Sequence, residues 1–187
     1  MRTALVYLRF FFTMQFEEAL TLINHPQISA GVATTWADLG SGTGLFTNAL
    51  ASLLMPGSRI YAVDKEVDVF KTTRHAKEIA LEKIKADFTK DILNVHDLDG
   101  ILMANSLHFV SKKVDLLNTL RKYFNGKGTF LIVEYDTDKS NPWVPYPISF
   151  HSLRKLFTSL GFDHIEKVNH LPSRYGHGYI YSALVTQ

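Results

Sequence analysis

The residues best suited to chemistry form a glycine-rich stretch at 38–44 (DLGSGTG), between a short apolar segment and an apolar helix. Glycines at alternate positions let the backbone turn tightly and let a ligand lie directly against the main chain. The helix predicted over 45–54 adds free N–H groups and the positive end of its dipole. The stretch therefore predicts a binding site made largely of backbone.

The spacing of the glycines narrows the choice of ligand. A dinucleotide loop, G-x-G-x-x-G, would have its third glycine at position 45, where this chain has Leu45. The third glycine comes one residue earlier, at Gly44, and no Lys-Ser/Thr pair follows, which excludes a P-loop. Asp38 would repel a pyrophosphate and attract an ammonium group. The loop therefore favours a ligand that carries a positive charge and no phosphate.

The segments that would position this loop alternate between strands and helices. Apolar runs predict strands at 36–39, 60–63, 81–86, 100–106, 129–133, 164–169 and 179–186. Helices are predicted at 16–28, 45–54, 66–80, 113–124 and 150–160. Asn125 and Gly126 are expected to end the fourth of these helices. The three prolines within 137–149 predict a loop there.

Apolar strands separated by helices are typical of a mainly parallel sheet that is covered on both faces. The last two strands are separated only by a turn that contains Gly176 and Gly178, too short for a helical crossover, so the last strand is expected to be antiparallel. The sequence thus predicts an α/β fold with a doubly wound, mainly parallel, seven-stranded Rossmann-like sheet. Ligands bind such sheets at the carboxyl ends of the strands, near the switch point in strand order.

The glycine-rich stretch resembles the first motif, (D/E)xGxGxG, of class I S-adenosylmethionine-dependent methyltransferases, and the chain is similar to small-molecule, type-11-like members over about residues 16–186. The resemblance implies that S-adenosyl-L-methionine is the cofactor. Asp64, 24 positions after Gly40 (64 − 40), would bind the ribose hydroxyls. Asp87 would accept from the adenine amine, and Phe88 would flank the ring. The cofactor-binding residues would be Asp38, Gly40, Ser41, Gly42, Thr43, Gly44, Asp64, Lys65, Asp87, Phe88 and Asn105.

Methyl transfer from a sulfonium requires alignment of acceptor, methyl group and sulfur, and exclusion of water. It requires neither a covalent nucleophile nor a metal, and we expect no metal site because the chain has no cysteine and no metal-spaced histidine cluster. A general base helps when the acceptor must lose a proton. His108, which follows the fourth strand, is the candidate base. A histidine that only caps the strand is the alternative.

Acceptor contacts are expected from residues that follow the later strands. The candidates are Glu134, Tyr135, Trp143, Tyr146, Arg174 and Tyr175. The 137–149 loop would either cover the acceptor or form a rigid surface loop. Arg174 would suit an acidic acceptor, although a solvated arginine is commoner.

We expect a small-molecule acceptor and keep two alternatives open. Nucleic-acid enzymes that methylate exocyclic amines usually carry (D/N/S)PP(Y/F) after the fourth strand to hold a flipped base. Residues 105–109 read NSLHF instead, and the net charge is only +2. A non-catalytic protein that binds the cofactor would retain the same glycines and acids.

The length of 187 residues fits one methyltransferase domain, with an N-terminal cap segment at 1–30 and a cofactor-binding core with substrate loops at 31–187. The absence of cysteine excludes a secreted disulfide scaffold. Arg9 interrupts the apolar start and no cleavage site follows, so we expect no secretory leader, no membrane span and a cytoplasmic location. The sequence leaves open the accepting atom, the oligomeric state, and whether the chain starts at Met1 or Met14.

Overall fold

The computed structural model describes residues 14–29, 31–70, 78–174 and 178–187 of the chain. Seven strands lie within these ranges: Thr35–Leu39 (β1), Arg59–Asp64 (β2), Ala80–Lys85 (β3), Leu98–Ala104 (β4), Phe124–Tyr135 (β5), His164–Pro172 (β6) and Tyr179–Thr186 (β7). The same ranges hold four α-helices: Phe16–Ile23 (α1), Leu45–Leu53 (α2), Lys113–Leu120 (α3) and Phe150–Ser159 (α4). None of these helices is long and apolar enough to cross a membrane.

The strands form one sheet in the order β3-β2-β1-β4-β5-β7-β6. Strands β1 to β5 pair in parallel, whereas β7 pairs antiparallel with both β5 and β6. The short connection between β6 and β7 allows no crossover, which explains the reversal. The predicted doubly wound sheet with its last strand antiparallel is confirmed. Its switch point lies between β1 and β4, where the order of connection reverses.

Helices cover both faces of the sheet. On one face, Leu22 of α1 and Leu50 of α2 pack in a buried cluster with Leu102 of β4. On the other face, Leu117 of α3 and Phe157 of α4 belong to a second buried cluster. The two clusters together bury both sides of the central strands, as continuous apolar strands require.

Helix α1 is attached to the sheet by side-chain hydrogen bonds as well as by packing. The Asn169 Nδ2 group donates to the Thr21 carbonyl over 2.8 Å. The buried Ser182 hydroxyl donates to the Leu22 carbonyl. These bonds satisfy carbonyl groups near the end of α1, which have no partner within the helix.

Three predicted element boundaries are wrong. The first helix ends at Ile23, not at residue 28, because Pro26 disfavours helical geometry in the residue before it. Asn125 and Gly126 end no helix; they lie inside β5, where the pairing with β4 becomes irregular.

The helix predicted over 66–80 is also absent from the two ends of this range, which the structure describes. Val67–Val69 form a single 3-10 turn, and Ala80 already belongs to β3. Residues 71–77 lie outside the described residues.

The pairing of β1 with β4 depends on a missing side chain. Gly100 lies opposite Trp36, and a Cβ at Gly100 would come within 2.4 Å of the indole ring. We expect Gly100→Ala to lower the free energy of unfolding by about 1–3 kcal/mol through overpacking. Urea unfolding would measure this loss.

Trp36→Leu provides the control for this prediction, because it removes the ring that the new methyl group would meet. In the Trp36→Leu protein, Gly100→Ala should lower the free energy of unfolding much less than it does in the wild type. An equal loss in both backgrounds would show that the indole contact is not the cause.

Candidate active site

The loop between β1 and α2 is fixed to the end of β2 by backbone hydrogen bonds. The Gly40 and Ser41 N–H groups donate to the Val63 carbonyl over 2.8 and 3.1 Å. The Gly42 N–H donates to Asp64 Oδ2 over 2.8 Å. The loop therefore keeps one conformation, stabilised by both the main chain and a carboxylate of the neighbouring strand.

The three glycines of the loop have left-handed backbone angles, with φ of +82° at Gly40, +51° at Gly42 and +85° at Gly44. At two of them, close packing also leaves no room for a side chain. A Cβ would lie 2.6 Å from Ser106 at Gly40, and 2.7 Å from the Phe70 ring at Gly44. At Gly42 a Cβ would meet no atom within 4 Å. Gly42 thus faces open space on the side where a ligand would lie, while Thr43 is exposed.

Four buried oxygen atoms beside this loop have no hydrogen-bond partner among the described residues. They are Asp38 Oδ1, Ser41 Oγ, Asn105 Oδ1 and Ser106 Oγ. They follow or end β1 and β4, the strands on either side of the switch point. A buried polar atom without a partner costs about 1–3 kcal/mol. Their grouping therefore indicates that a polar ligand completes the site.

Asp38 is the most strongly perturbed of these groups. Its side chain is buried, and the Thr47 hydroxyl donates to Oδ2 over 2.5 Å. Burial raises the pKa of Asp38 to about 7, the Thr47 hydrogen bond opposes the rise, and the negative charge of Asp64 adds to it. Oδ1 lies free for a ligand. A cationic group there would offset the cost of burying the carboxylate.

Asp64 and Asp87 lie at the carboxyl ends of β2 and β3. Asp64 accepts from the main-chain N–H groups of Gly42 and Glu66, over 2.8 and 2.9 Å. Each of its oxygens retains a lone pair for a ligand hydroxyl. Asp87 is more fully occupied. Its Oδ1 accepts from Thr89, over 3.1 Å from the N–H and 2.6 Å from the hydroxyl.

Lys65 also acts on Asp87, with Nζ 3.0 Å from Oδ2. Burial acts to raise the pKa of Asp87, but the hydrogen bonds from Thr89 and the Lys65 ammonium outweigh it and hold the pKa well below its ordinary value. A ligand amine would share this carboxylate with Lys65. Phe88 lies against the loop, its ring 3.5 Å from the position of a Cβ at Gly40.

His108 and Glu134 form a buried pair, although they are 26 positions apart in sequence. Nδ1 of the imidazole lies 2.6 Å from Glu134 Oε2, and the His108 main-chain N–H donates to Oε1 over 3.0 Å. Both carboxylate oxygens are therefore engaged by one residue. Nε2 of His108 has no hydrogen-bond partner in the described part of the chain. The 3-10 turn Leu107–Phe109 positions the ring after β4.

A cleft of about 850 Å³ lies beside this pair. Asn105 lines it, and the next residue, Ser106, lies against Gly40, so the cleft adjoins the glycine loop. The predicted residues His108, Tyr135 and Trp143 line it as well. Phe109, the last residue of the 105–109 stretch, lines it too, and so do Lys139 and Tyr179, which the sequence patterns did not indicate individually. An unusually exposed aromatic residue is a signal that the sequence alone does not display.

The remaining predicted acceptor residues have other surroundings. The main chain of Tyr146 makes two hydrogen bonds. Its carbonyl accepts from Lys113 Nζ over 2.6 Å, and the Tyr146 N–H donates to the His108 carbonyl over 2.9 Å. Tyr146 thereby fixes the 137–149 loop beside His108. Arg174 pairs with Glu18 of α1 over 2.6 Å. Tyr175 lies outside the described residues.

The family described as "Methyltransferase domain" matches residues 31–174, well over half of the chain. The chain belongs to this methyltransferase family. The predicted class I S-adenosylmethionine-dependent methyltransferase, with S-adenosylmethionine as its cofactor, is confirmed. No protein of curated function matches the chain in sequence.

Solved structures of other methyltransferases have a similar fold. One is a SAM-dependent methyltransferase from Aquifex aeolicus, with a TM-score of 0.59 and 16% identity over 93% of this chain and 99% of that one. A second is the 1,6-didemethyltoxoflavin-N1-methyltransferase of Burkholderia thailandensis, solved with its substrate and S-adenosylhomocysteine. Its TM-score is 0.65, with 17% identity over 91% of this chain and 79% of that one.

A third is a SAM-dependent methyltransferase from Methanosarcina mazei, with a TM-score of 0.62 and 15% identity over 88% of this chain and 98% of that one. At such low identities these likenesses show the fold.

The residues of this methyltransferase fit its cofactor. Asp38 Oδ1 is a buried, unpartnered carboxylate oxygen, suited to the ammonium of the methionine moiety. The Asp64 carboxylate is held at the loop by two N–H groups and suits the ribose hydroxyls. Because Gly42 has no side chain, open space remains in which the methionine chain can lie against the backbone.

We expect Gly42→Leu to abolish cofactor binding in this methyltransferase, because the new side chain would occupy the open space at the loop. Calorimetric titration with S-adenosylhomocysteine should show a rise in Kd of at least about 100-fold, which corresponds to about 2.8 kcal/mol. Gly126→Leu is the matched control. Gly126 also has a left-handed φ, +78°, and open space around it, but lies at the amino end of β5. A Gly42→Leu protein with unchanged affinity would contradict the assignment.

Cofactor affinity should also rise with pH up to about 7. Asp38 has a pKa of about 7 without ligand, and a bound ammonium favours its ionised form, so binding releases a proton below that pH. The affinity should increase by up to about tenfold per pH unit between about pH 5.5 and 7. This range stays below the pH at which an α-amino group deprotonates, about 7.7–8.0.

Calorimetry in two buffers of different ionisation enthalpy would measure the proton released. The Asp38→Asn protein should bind more weakly and lose the pH dependence. Proton release that persists in this variant would assign it to another group.

Proposed function

We propose that this methyltransferase methylates a small-molecule acceptor that binds in the cleft beside Asn105, with His108 as the general base. The observation that carries the proposal is the environment of the His108 ring. Nδ1 is held by Glu134 over 2.6 Å, while Nε2 belongs to a residue that lines the cleft and has no described hydrogen-bond partner.

The buried carboxylate determines what the imidazole can do. Glu134 accepts from Nδ1–H, which leaves Nε2 with its lone pair and able to take a proton from an acceptor. The negative charge then stabilises the imidazolium that forms, as in other histidine–carboxylate pairs. Glu134 has no exposed surface, so it acts through His108 as a positioning residue and does not itself touch the acceptor.

S-adenosylmethionine, when bound, supplies a methyl group on a positively charged sulfur. The chain contributes two further functions. The glycine loop and Asp38 bind and orient the cofactor, and His108 Nε2 holds the proton lost by the acceptor. A general base of this kind contributes about 100-fold to 10,000-fold in rate.

The dimensions of the cleft support a small acceptor. Its volume of about 850 Å³ falls within the range of about 300–1,000 Å³ that is usual for small-molecule sites. The net charge of +2 also gives little of the electrostatic attraction that nucleic acid requires. The Burkholderia thailandensis methyltransferase, whose structure holds bound 1,6-didemethyltoxoflavin, is consistent with this proposal.

We expect His108→Gln to slow methyl transfer by about 100-fold to 10,000-fold without changing the affinity for S-adenosylhomocysteine. The acceptor would be found with labelled cofactor in fractionated cell extract, and single-turnover rates would then be compared. His164→Gln, at an exposed position at the start of β6, is the control and should leave the rate unchanged. A His108→Gln protein with the wild-type rate would remove the base from the mechanism.

A further inference from the structure

Aromatic rings are exposed in the cleft to an extent that a folded protein would normally avoid. The exposed fraction of the residue is 84% for Trp143, 59% for Phe109 and 53% for Tyr179, and all three residues line the cleft. Grouped exposed apolar surface marks a binding site. Because all three side chains are aromatic, a ligand ring that stacks on them would gain more than an aliphatic chain in the same place.

The main chain at Trp143 is held in place by a turn. The main-chain N–H groups of Trp143 and Val144 both donate to Asn141 Oδ1, over 2.9 and 3.0 Å. Asn141 and Val144 also pair through their backbones. The turn therefore fixes the backbone from which the indole extends into the cleft, so a ligand that binds there need not order this part of the main chain.

Two of the cleft's rings flank the proposed base. The Phe109 ring centroid lies 4.3 Å from that of the His108 imidazole, and the Tyr135 centroid lies 6.0 Å from it. An acceptor that reaches Nε2 therefore passes beside aromatic surfaces. A planar ring would make these contacts with its faces and edge.

One cationic side chain of the cleft, Lys139, is available to an anionic ligand. Asp136 is neutralised by Lys167, with Nζ 3.0 Å from Oδ2, and its Oδ1 accepts from the Phe150 N–H over 2.8 Å. Glu134 is fully buried and hydrogen-bonded to His108, so a ligand in the cleft does not contact it. Lys139 lines the cleft and forms no ion pair within the described residues. An acceptor that carries an ammonium group would meet this lysine as a like charge, whereas a carboxylate would be attracted.

We propose that the acceptor is a hydroxy-aromatic acid, a planar ring that carries a hydroxyl group and an anionic substituent. This proposal rests on the function proposed above. The ring would lie among Phe109, Tyr135 and Trp143, the anionic group near Lys139, and the hydroxyl at His108 Nε2. A phenolic hydroxyl has a pKa of about 10, so it ionises far more readily than an aliphatic alcohol and suits an imidazole base.

In this transfer the phenolic O–H bond breaks and its proton moves to Nε2 of His108, giving an imidazolium. A lone pair on the oxygen forms the new bond to the methyl carbon. The carbon–sulfur bond breaks, and its electron pair stays on sulfur. The products are an aryl methyl ether and S-adenosylhomocysteine, and the imidazolium returns its proton to water.

Trp143 provides a direct test by fluorescence. The chain has two tryptophans, and the other, Trp36, is buried. Three probes would be titrated into the complex with S-adenosylhomocysteine: 4-hydroxybenzoate, neutral 4-hydroxybenzamide and the non-aromatic trans-4-hydroxycyclohexanecarboxylate. We expect saturable quenching by 4-hydroxybenzoate, with a Kd at least about tenfold lower than for either other probe, a difference of about 1.4 kcal/mol.

Two variants assign the signal to the proposed contacts. Trp143→Phe should abolish the quenching while calorimetry still detects the probe. Lys139→Gln should remove the preference for the benzoate over the benzamide. Lys127→Gln, at an exposed position in β5, is the matched charge control and should preserve that preference.

The results separate this proposal from the one on which it rests. Equal binding of the aromatic and cyclohexane acids, equal binding of the charged and neutral rings, or no binding of any probe would overturn the assignment of a hydroxy-aromatic acid. His108-dependent methylation of a different acceptor would leave the proposed function standing in each of those cases. Methylation that does not depend on His108 would overturn the proposed base, whatever the probes show.

Discussion

The hydrogen bond from the Gly42 N–H to the Asp64 carboxylate is the interaction on which the site depends. Together with the two N–H groups that donate to Val63, it fixes the loop after β1 to the end of β2. The loop can only take this course because its left-handed positions are glycines. The result is a bare backbone surface at the start of α2, with the unpartnered oxygen of Asp38 beside it.

The order of the strands places the acceptor side of the site next to this loop. Because β4 lies beside β1, the residues that follow it bring Asn105 to the loop and His108 to the cleft. Because β5 lies beside β4, Glu134 reaches the His108 ring. The switch point of the sheet therefore joins a cofactor site made mostly of backbone to an acceptor site made of side chains.

The sequence was sufficient for the fold and the loop, because apolar runs and alternate glycines are local signals. It could not predict contacts between distant segments. Glu134 was expected to contact the acceptor, yet both of its oxygens bind His108. The strand β5 includes Asn125 and Gly126 because Phe124 already pairs with Leu98 of β4, before the irregular stretch that contains them. The exposure of Trp143 likewise follows from tertiary structure, since nothing in its neighbours along the chain encodes it.

A crystal structure of the protein with S-adenosylhomocysteine would test the central claim most directly. We predict that the ammonium of the ligand lies within hydrogen-bond distance of Asp38 Oδ1, its ribose hydroxyls at Asp64 and its amino-acid chain against Gly42. A ligand bound elsewhere, or one that leaves the buried Asp38 oxygen without a partner, would contradict it.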